Sequence, residues 1–105
     1  MSEGKKFDEH KIPLQLLPFL SIEEVVKVLR FGRDKYGSWN WTQGMDWSRL
    51  LGAALRHLFL WARGEDLDKE SGLSHLAHAS CCVLMLLHYS LTETGKDDRF
   101  KIEKK

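Results

Sequence analysis

Hydrophobic side chains recur at spacings of three and four residues in three separate stretches of this 105-residue chain. That spacing places them on one side of an α-helix. Start and stop signals around the stretches predict helices over residues 21–36, 48–63 and 72–94, the first opened by a capping box of Ser21 and Glu24. No internal repeat and no alternating run long enough for a sheet occurs, so the pattern predicts an all-α fold, a small helical bundle.

The segments outside these helices differ in character. Residues 1–11 form a polar arm, and residues 12–20 (IPLQLLPFL) combine two prolines with apolar side chains. Such a segment favours an extended strap that lies on a hydrophobic surface without a regular element. The mixed-charge tail over residues 96–105 is expected to fray. We interpret residues 1–105 as one domain.

The third predicted helix is apolar nearly all round, over LAHASCCVLMLLHY. A helix of this kind is the buried centre of a bundle or the seam of an oligomer. Since only two other helices are available to cover it, we expect a homo-oligomer formed through this helix.

Charge and composition narrow the function classes. Lys and Arg number 16 against 15 Asp and Glu, a net charge of +1, which gives no global case for a nucleic-acid polymer or an anionic membrane as partner. No apolar run is long enough to span a bilayer, and the N-terminus lacks the apolar core of a signal peptide, so a cytoplasmic protein is expected. The neighbours Cys81 and Cys82 cannot join distant segments.

A first cluster of candidate functional residues lies between the first two helices. Lys35 offers a point charge for phosphate, Asn40 can pair with a base edge, and Trp41 or Trp39 can stack on a base. The alternative is structural: the tryptophans anchor a core or an interface, and Lys35 complements the C-terminal end of the helix dipole.

A second cluster spans the second helix, the following acidic loop and the third helix. Imidazoles and carboxylates recur there at spacings that can converge, beside an arginine that can contact phosphate. Its members are Arg56, His57, Glu65, Asp66, Asp68, Glu70, His75 and His78. Oxygen ligands close to histidines suit Mg²⁺ or Mn²⁺ held beside a polyphosphate, where a water can be activated for attack on phosphorus.

Two alternatives to this metal site stay open. The acidic loop can be a solvated connection and a helical histidine a satisfied buried polar group. The second alternative is a zinc site, because His75, His78 and Cys82 lie along one stripe of the third helix.

Two long gapped motifs follow one another in the sequence. The first, FGxxKYGxxNWxxG, begins at Phe31 and ends at Gly44, and the second, RHLxxWxxGExxDxESGxxHLxHAxC, runs from Arg56 to Cys81. In these motifs the chain resembles, over roughly residues 13–90, the phage-encoded dATP/dGTP diphosphohydrolase (N-terminal domain) family. That family is associated with the MazG type of all-α nucleoside triphosphate pyrophosphohydrolases, which oligomerise and use Mg²⁺.

The resemblance implies a nucleotide ligand and, for a phage-encoded protein, a place in the host cytoplasm. The chain departs from the MazG type in one respect. Glu65 and Asp68 match the ExxD half of the usual carboxylate set, but Glu24 is followed three positions later by Lys27, so the ExxE half is missing. Histidines can substitute as ligands, or the site binds without hydrolysing.

Three hypotheses for the function follow. The first is an Mg²⁺- or Mn²⁺-dependent pyrophosphohydrolase acting on dATP- or dGTP-like substrates. The second is a non-catalytic phage sponge that captures a cyclic-nucleotide or ADP-ribose type of immune signal and so inhibits bacterial defence. The third is an obligate helical assembly partner with no small-molecule ligand.

The enzyme hypothesis assigns a role to each candidate residue. The metal ligands are Glu65, Asp68, Glu70, His75 and His78. The catalytic residues are Glu65, Asp68, Glu70 and His57. The nucleotide-binding residues are Lys35, Tyr36, Asn40, Trp41, Arg56 and His75.

Overall fold

The computed structural model describes residues 10–101, which form three α-helices. These are α1 (Phe19–Tyr36), α2 (Trp47–Ala62) and α3 (His75–Thr92), accompanied by short 3-10 turns at Leu14–Leu16 and Asn40–Gln43. The described part of the chain contains isolated β-bridges but no strand. The predicted all-α fold with three main helices is confirmed. Most of the predicted polar arm and the last part of the predicted tail lie outside the described residues.

Helix α1 begins earlier than the sequence pattern predicts. Pro18 precedes its first residue, and the backbone angle that a proline ring fixes suits this position. Ser21 therefore lies inside the helix and the predicted capping box is wrong; Glu24 instead pairs with Lys27 at 2.7 Å.

The predicted strap is also corrected. A 3-10 turn occupies Leu14–Leu16, so residues 12–20 are not without regular structure. Ile12 and Leu16 are 81% and 77% exposed, so this segment does not lie on a hydrophobic surface of its own chain.

The two later helices use different caps. At α3, Ser74 accepts a hydrogen bond from the Leu76 N–H at 3.1 Å, as the sequence allows. At α2, the preceding Asp46 makes no side-chain cap. The carboxylate of Asp98 takes that place, accepting from the backbone N–H of Ser48 at 2.8 Å and from its hydroxyl at 2.5 Å.

The segment after α3 is thereby held against the start of α2. The Lys96 carbonyl accepts from the Trp47 N–H at 2.9 Å, and the Thr94 carbonyl accepts from the indole N–H of Trp47 at 2.8 Å. Gly44 and Gly95 lie so close that a Cβ on Gly44 would sit 2.9 Å from the Gly95 nitrogen. The prediction that the chain frays from residue 96 is wrong for the first residues of this tail.

Helix α3 is the centre of the fold, since α1 and α2 both make their main helix–helix contacts with it. Between α1 and α3 the core consists of Val25, Val28, Ala77 and Cys81, with Leu29, Leu73 and Met85 against them. Leu50, Ala54 and Ala79 are buried where α2 meets α3. None of the described helices has the length and hydropathy needed to cross a bilayer.

Candidate active site

The acidic connection, residues 63–74 between α2 and α3, folds back on itself. Asp68 donates its N–H to the Leu73 carbonyl at 2.8 Å, and Gly72 donates its N–H to the Asp68 carbonyl at 2.7 Å. The N–H of His75 reaches the Asp66 carbonyl at 3.0 Å. These bonds place the carboxylates of the connection over the end of α2 and the beginning of α3.

Three side chains form a hydrogen-bonded series at this place. Nδ1 of His57 lies 2.8 Å from Nδ1 of His75, and Nε2 of His75 lies 2.6 Å from Oε2 of Glu65. A carboxylate only accepts, so the proton of a neutral His75 sits on Nε2. Its Nδ1 then carries a lone pair that points toward His57. His75 is fully buried and His57 is 8% exposed, so this lone pair is sheltered from water.

Asp68 is fixed by a second series. Oδ2 of Asp68 accepts from the Ser71 N–H at 2.9 Å and from its hydroxyl at 3.0 Å. The same hydroxyl lies 2.7 Å from Nε2 of His78, whose ring stacks on that of His57 with centroids 4.5 Å apart. Ser71 is not among the residues that the sequence assigns to the site. An aspartate followed three residues later by a serine, a spacing at which a side-chain oxygen accepts a backbone N–H as at a helix N-cap, is the signal that points to this role.

Burial sets the protonation of the site. It lowers the pKa of His57 to about 4, with a further contribution from the neighbouring His78. It also lowers the pKa of His78. Burial alone would raise the pKa of Asp68, but the two hydrogen bonds from Ser71 lower it instead. Near neutral pH these two imidazoles are uncharged and Asp68 is a carboxylate.

Neutral imidazoles and a carboxylate are ligands for a divalent transition metal. One ligand atom each from His57, Asp68 and His75 lies within 4.8 Å of the others, and no other trio of this kind occurs in the part of the chain that the structure describes. Glu65 holds the second nitrogen of His75, which is how an outer carboxylate orients a metal-binding histidine. We call His57, Asp68 and His75 the metal-ligand trio.

The other predicted ligands lie around this trio. Glu65 bonds to Nε2 of His75, the ring nitrogen that faces away from His57. Nε2 of His78 lies 3.8 Å from Oδ2 of Asp68, and the His78 ring stacks on that of His57. Glu70 pairs with Lys35, its oxygen 2.6 Å from Nζ. Cys82, the thiol of the predicted zinc stripe, is not in the trio, and burial raises its pKa.

Lys35 brings a positive charge to the edge of the site. Its ammonium lies 5.7 Å from the ring centre of Phe31, and Phe31 meets the ring of His78 edge-on at 6.3 Å. The hydrogen bond to Glu70 raises the pKa of Lys35. Tyr36 is also close, its ring centre 5.4 Å from the ammonium. Arg56, on α2 beside His57, adds a second exposed cation.

The aromatic connection, residues 37–46 between α1 and α2, does not reach the trio. Trp41 packs on His88 and Tyr89, with centroid distances of 5.0 and 6.2 Å, and its carbonyl accepts from the buried Tyr89 hydroxyl. His88 follows His78 by ten residues, about 15 Å along α3. Trp41 thus has packing contacts of the kind that the structural alternative expects, while Asn40 precedes it in the same turn and Trp39 is 72% exposed.

Comparison with known proteins gives a consistent result. Residues 1–99 match the family described as dATP/dGTP diphosphohydrolase, N-terminal. A protein of Salmonella phage PMBT28 named dATP/dGTP diphosphohydrolase is 41% identical over 96 residues. No solved structure matches the chain.

The match to the phage protein covers 91% of this chain but 33% of the relative, so the chain spans about a third of that protein's length. The family match covers nearly the whole chain, including both connections and all three helices. The chain belongs to the family of dATP/dGTP diphosphohydrolase N-terminal domains.

Proposed function

We propose that this chain binds a purine deoxynucleoside triphosphate and, with a divalent cation, hydrolyses it to the monophosphate and pyrophosphate. The observation that carries the proposal is the convergence of His57, Asp68 and His75 within 4.8 Å, with Lys35 linked to it through the rings of Phe31 and His78. The name of the 41% identical phage protein supports nucleotide hydrolysis as the reaction class.

The trio supplies two nitrogens and one oxygen to the cation. When bound, the cation would lower the pKa of a coordinated water and offset the charge of the phosphates. Glu65 fixes the tautomer of His75 that presents a lone pair, and Ser71 keeps Asp68 ionised. His75 and Asp68 thus each have an outer partner that keeps them in their binding form.

Lys35 and Arg56 are the residues proposed to receive the phosphates. Lys35 is charged, and both it and its partner Glu70 are largely exposed, with 42% and 63% of their side chains accessible. An exposed ion pair is worth little, so a triphosphate can replace Glu70 at the ammonium at small cost. Arg56 can approach the same phosphates from α2.

Mn²⁺ fits this ligand set better than Mg²⁺. Magnesium prefers carboxylate, carbonyl and water oxygens, whereas imidazole nitrogen suits the later divalent metals. The trio supplies two imidazole nitrogens and a single carboxylate oxygen. We therefore propose Mn²⁺ as the more effective of the two predicted ions.

The test is incubation of the purified chain with dATP, dGTP and cyclic purine nucleotides, with and without Mn²⁺, followed by chromatography of the products. We expect Mn²⁺-dependent appearance of the monophosphate, abolished in Asp68→Asn. The matched control is Asp66→Asn, which changes an exposed carboxyl two residues away and should retain turnover. Intact nucleotide recovered only after heat denaturation would contradict hydrolysis and support the sequestering alternative.

A further inference from the structure

The ring of His78 is held on three sides. Its Nε2 lies 2.7 Å from the hydroxyl oxygen of Ser71, in the acidic connection. One face stacks on the ring of His57, on α2, with centroids 4.5 Å apart and 10° between the planes. The ring of Phe31, on α1, meets it edge-on at 6.3 Å and 86°. One ring of α3, 11% exposed, thus contacts three other elements around the candidate site.

The hydroxyl of Ser71 decides which nitrogen of His78 carries a proton. The hydroxyl oxygen lies 3.0 Å from Oδ2 of Asp68, 2.7 Å from Nε2 of His78 and 3.1 Å from the N–H of Leu73. A carboxylate only accepts, so the single hydroxyl proton is donated to Asp68. The two lone pairs of the hydroxyl oxygen then accept from Leu73 and from His78. Nε2 of His78 therefore carries a proton, and this nitrogen has no lone pair for a metal.

His78 also lies outside the metal-ligand trio. The trio brings its ligand atoms within 4.8 Å of one another, and His78 is not a member of this group. Two members of the trio have a hydrogen-bonded partner outside it, Glu65 in one case and Ser71 in the other. For His57, the third member, the corresponding support is the nearly parallel ring of His78.

We propose that His78 is a positioning residue of the candidate metal site and not a ligand: its ring fixes the plane of the His57 ring, and its Nε2–H keeps the Ser71 hydroxyl turned toward Asp68. The inference rests on the proposed function, because it assigns His78 to the support of the same site. It replaces the ligand role that the sequence predicts for this residue. A supporting ring acts through its shape and a ligand through its nitrogen, so the two roles respond differently to substitution.

The first experiment uses the metal-free chain. A long-range proton–nitrogen NMR correlation spectrum near neutral pH shows which nitrogen of each histidine carries the proton, and His78→Phe identifies the signals of His78. We expect the Nε2–H tautomer, with signals that change in Ser71→Ala. Ser80→Ala is the matched control, because Ser80 is exposed on α3 and should leave the spectrum unchanged. The Nδ1–H tautomer of His78 would overturn the proposal, whether or not the chain binds a metal.

The second experiment compares Mn²⁺ affinities by calorimetry. His78→Phe keeps a flat ring without a nitrogen, and His78→Ala removes the ring. We expect His78→Phe to stay within about threefold of the wild type and His78→Ala to bind about 10–100-fold more weakly, the loss typical of a missing outer partner. Circular dichroism checks that both variants are helical. Equal losses in the two variants would make His78 a ligand, and no loss in His78→Ala would remove the supporting role; either result overturns the proposal.

Phe31→Leu repeats this test without changing a nitrogen of the site. It removes the edge contact to His78, and we expect Mn²⁺ affinity about tenfold lower. Wild-type affinity in this variant would contradict the proposed support of the ring. Failure of the proposed function is seen separately: a wild-type chain that binds no Mn²⁺ contradicts the metal site, whereas the tautomer of His78 is measured without metal.

Discussion

The acidic connection and the aromatic connection have similar lengths and both carry candidate functional residues, yet the structure uses them differently. In residues 63–74, Glu65 and Asp68 turn inward and bond to the histidines of α3 or to Ser71. In residues 37–46, Trp41 packs on the far end of α3 and binds Tyr89 through its carbonyl. The residue types of both connections suggested a functional site, but only the acidic connection gathers titratable side chains around one point.

The difference lies in where each connection is anchored. The acidic connection joins the end of α2 to the start of α3, so it closes over His57 and His75 on those two helix ends. The aromatic connection is tied to the opposite end of the molecule, where Gly44 meets Gly95. Substitutions in the aromatic connection should therefore affect stability, and substitutions in the acidic connection should affect ligands and pH response.

The largest expected change in stability is at Trp41. Trp41→Ala removes the ring that packs on His88 and Tyr89, and we expect a loss of about 3 kcal/mol in the free energy of unfolding. Trp39→Ala is the matched control, because Trp39 is two residues away and 72% exposed; its effect should stay within about 0.5 kcal/mol. Urea unfolding measures both free energies, and equal losses would contradict a structural role specific to Trp41.

The next effect is acid destabilisation through the buried histidines. The pKa of His57 is about 4 in the folded chain against an ordinary value of 6.5, so the unfolded chain binds more protons between these values. Stability of the metal-free protein should therefore fall as the pH decreases, by about 2 kcal/mol between pH 7 and pH 5 from His57 alone.

His57→Gln isolates this contribution. The variant lacks the titrating ring, so its stability should change less over the same pH range, while His10→Gln, at an exposed position, should follow the wild type. Urea unfolding in EDTA at a series of pH values gives the slopes. A slope that His57→Gln leaves unchanged would place the titration elsewhere.

A smaller effect is expected at Lys35. Lys35→Ala should weaken binding of a non-hydrolysable dGTP analogue about tenfold, roughly 1.4 kcal/mol, by removing one charged contact to phosphate. Lys27→Ala is the control on the same helix, where the lysine pairs with Glu24 two turns from the site. Calorimetry measures both affinities, and equal affinity for the Lys35 variant and the wild type would remove Lys35 from the phosphate site.

The helices were predictable because apolar spacing is a local signal. The capping of α2 could not be predicted, since Asp98 lies fifty residues from Ser48 and reaches it only after the chain has folded. In the same way, the sequence placed Asp68, Glu70 and three histidines in one cluster. Which of the carboxylates bonds to Lys35 and which stays beside His57 and His75 depends on how the acidic connection folds back.

Calorimetric titration of the metal-free chain with Mn²⁺ tests most directly whether His57, Asp68 and His75 bind one divalent cation. We expect one Mn²⁺ per chain, bound more tightly than Mg²⁺, with affinity at least about 100-fold lower in Asp68→Asn and His75→Gln. Asp66→Asn should bind as the wild type does. No binding by the wild type, or the same affinity in all four proteins, would contradict a metal site at these three residues.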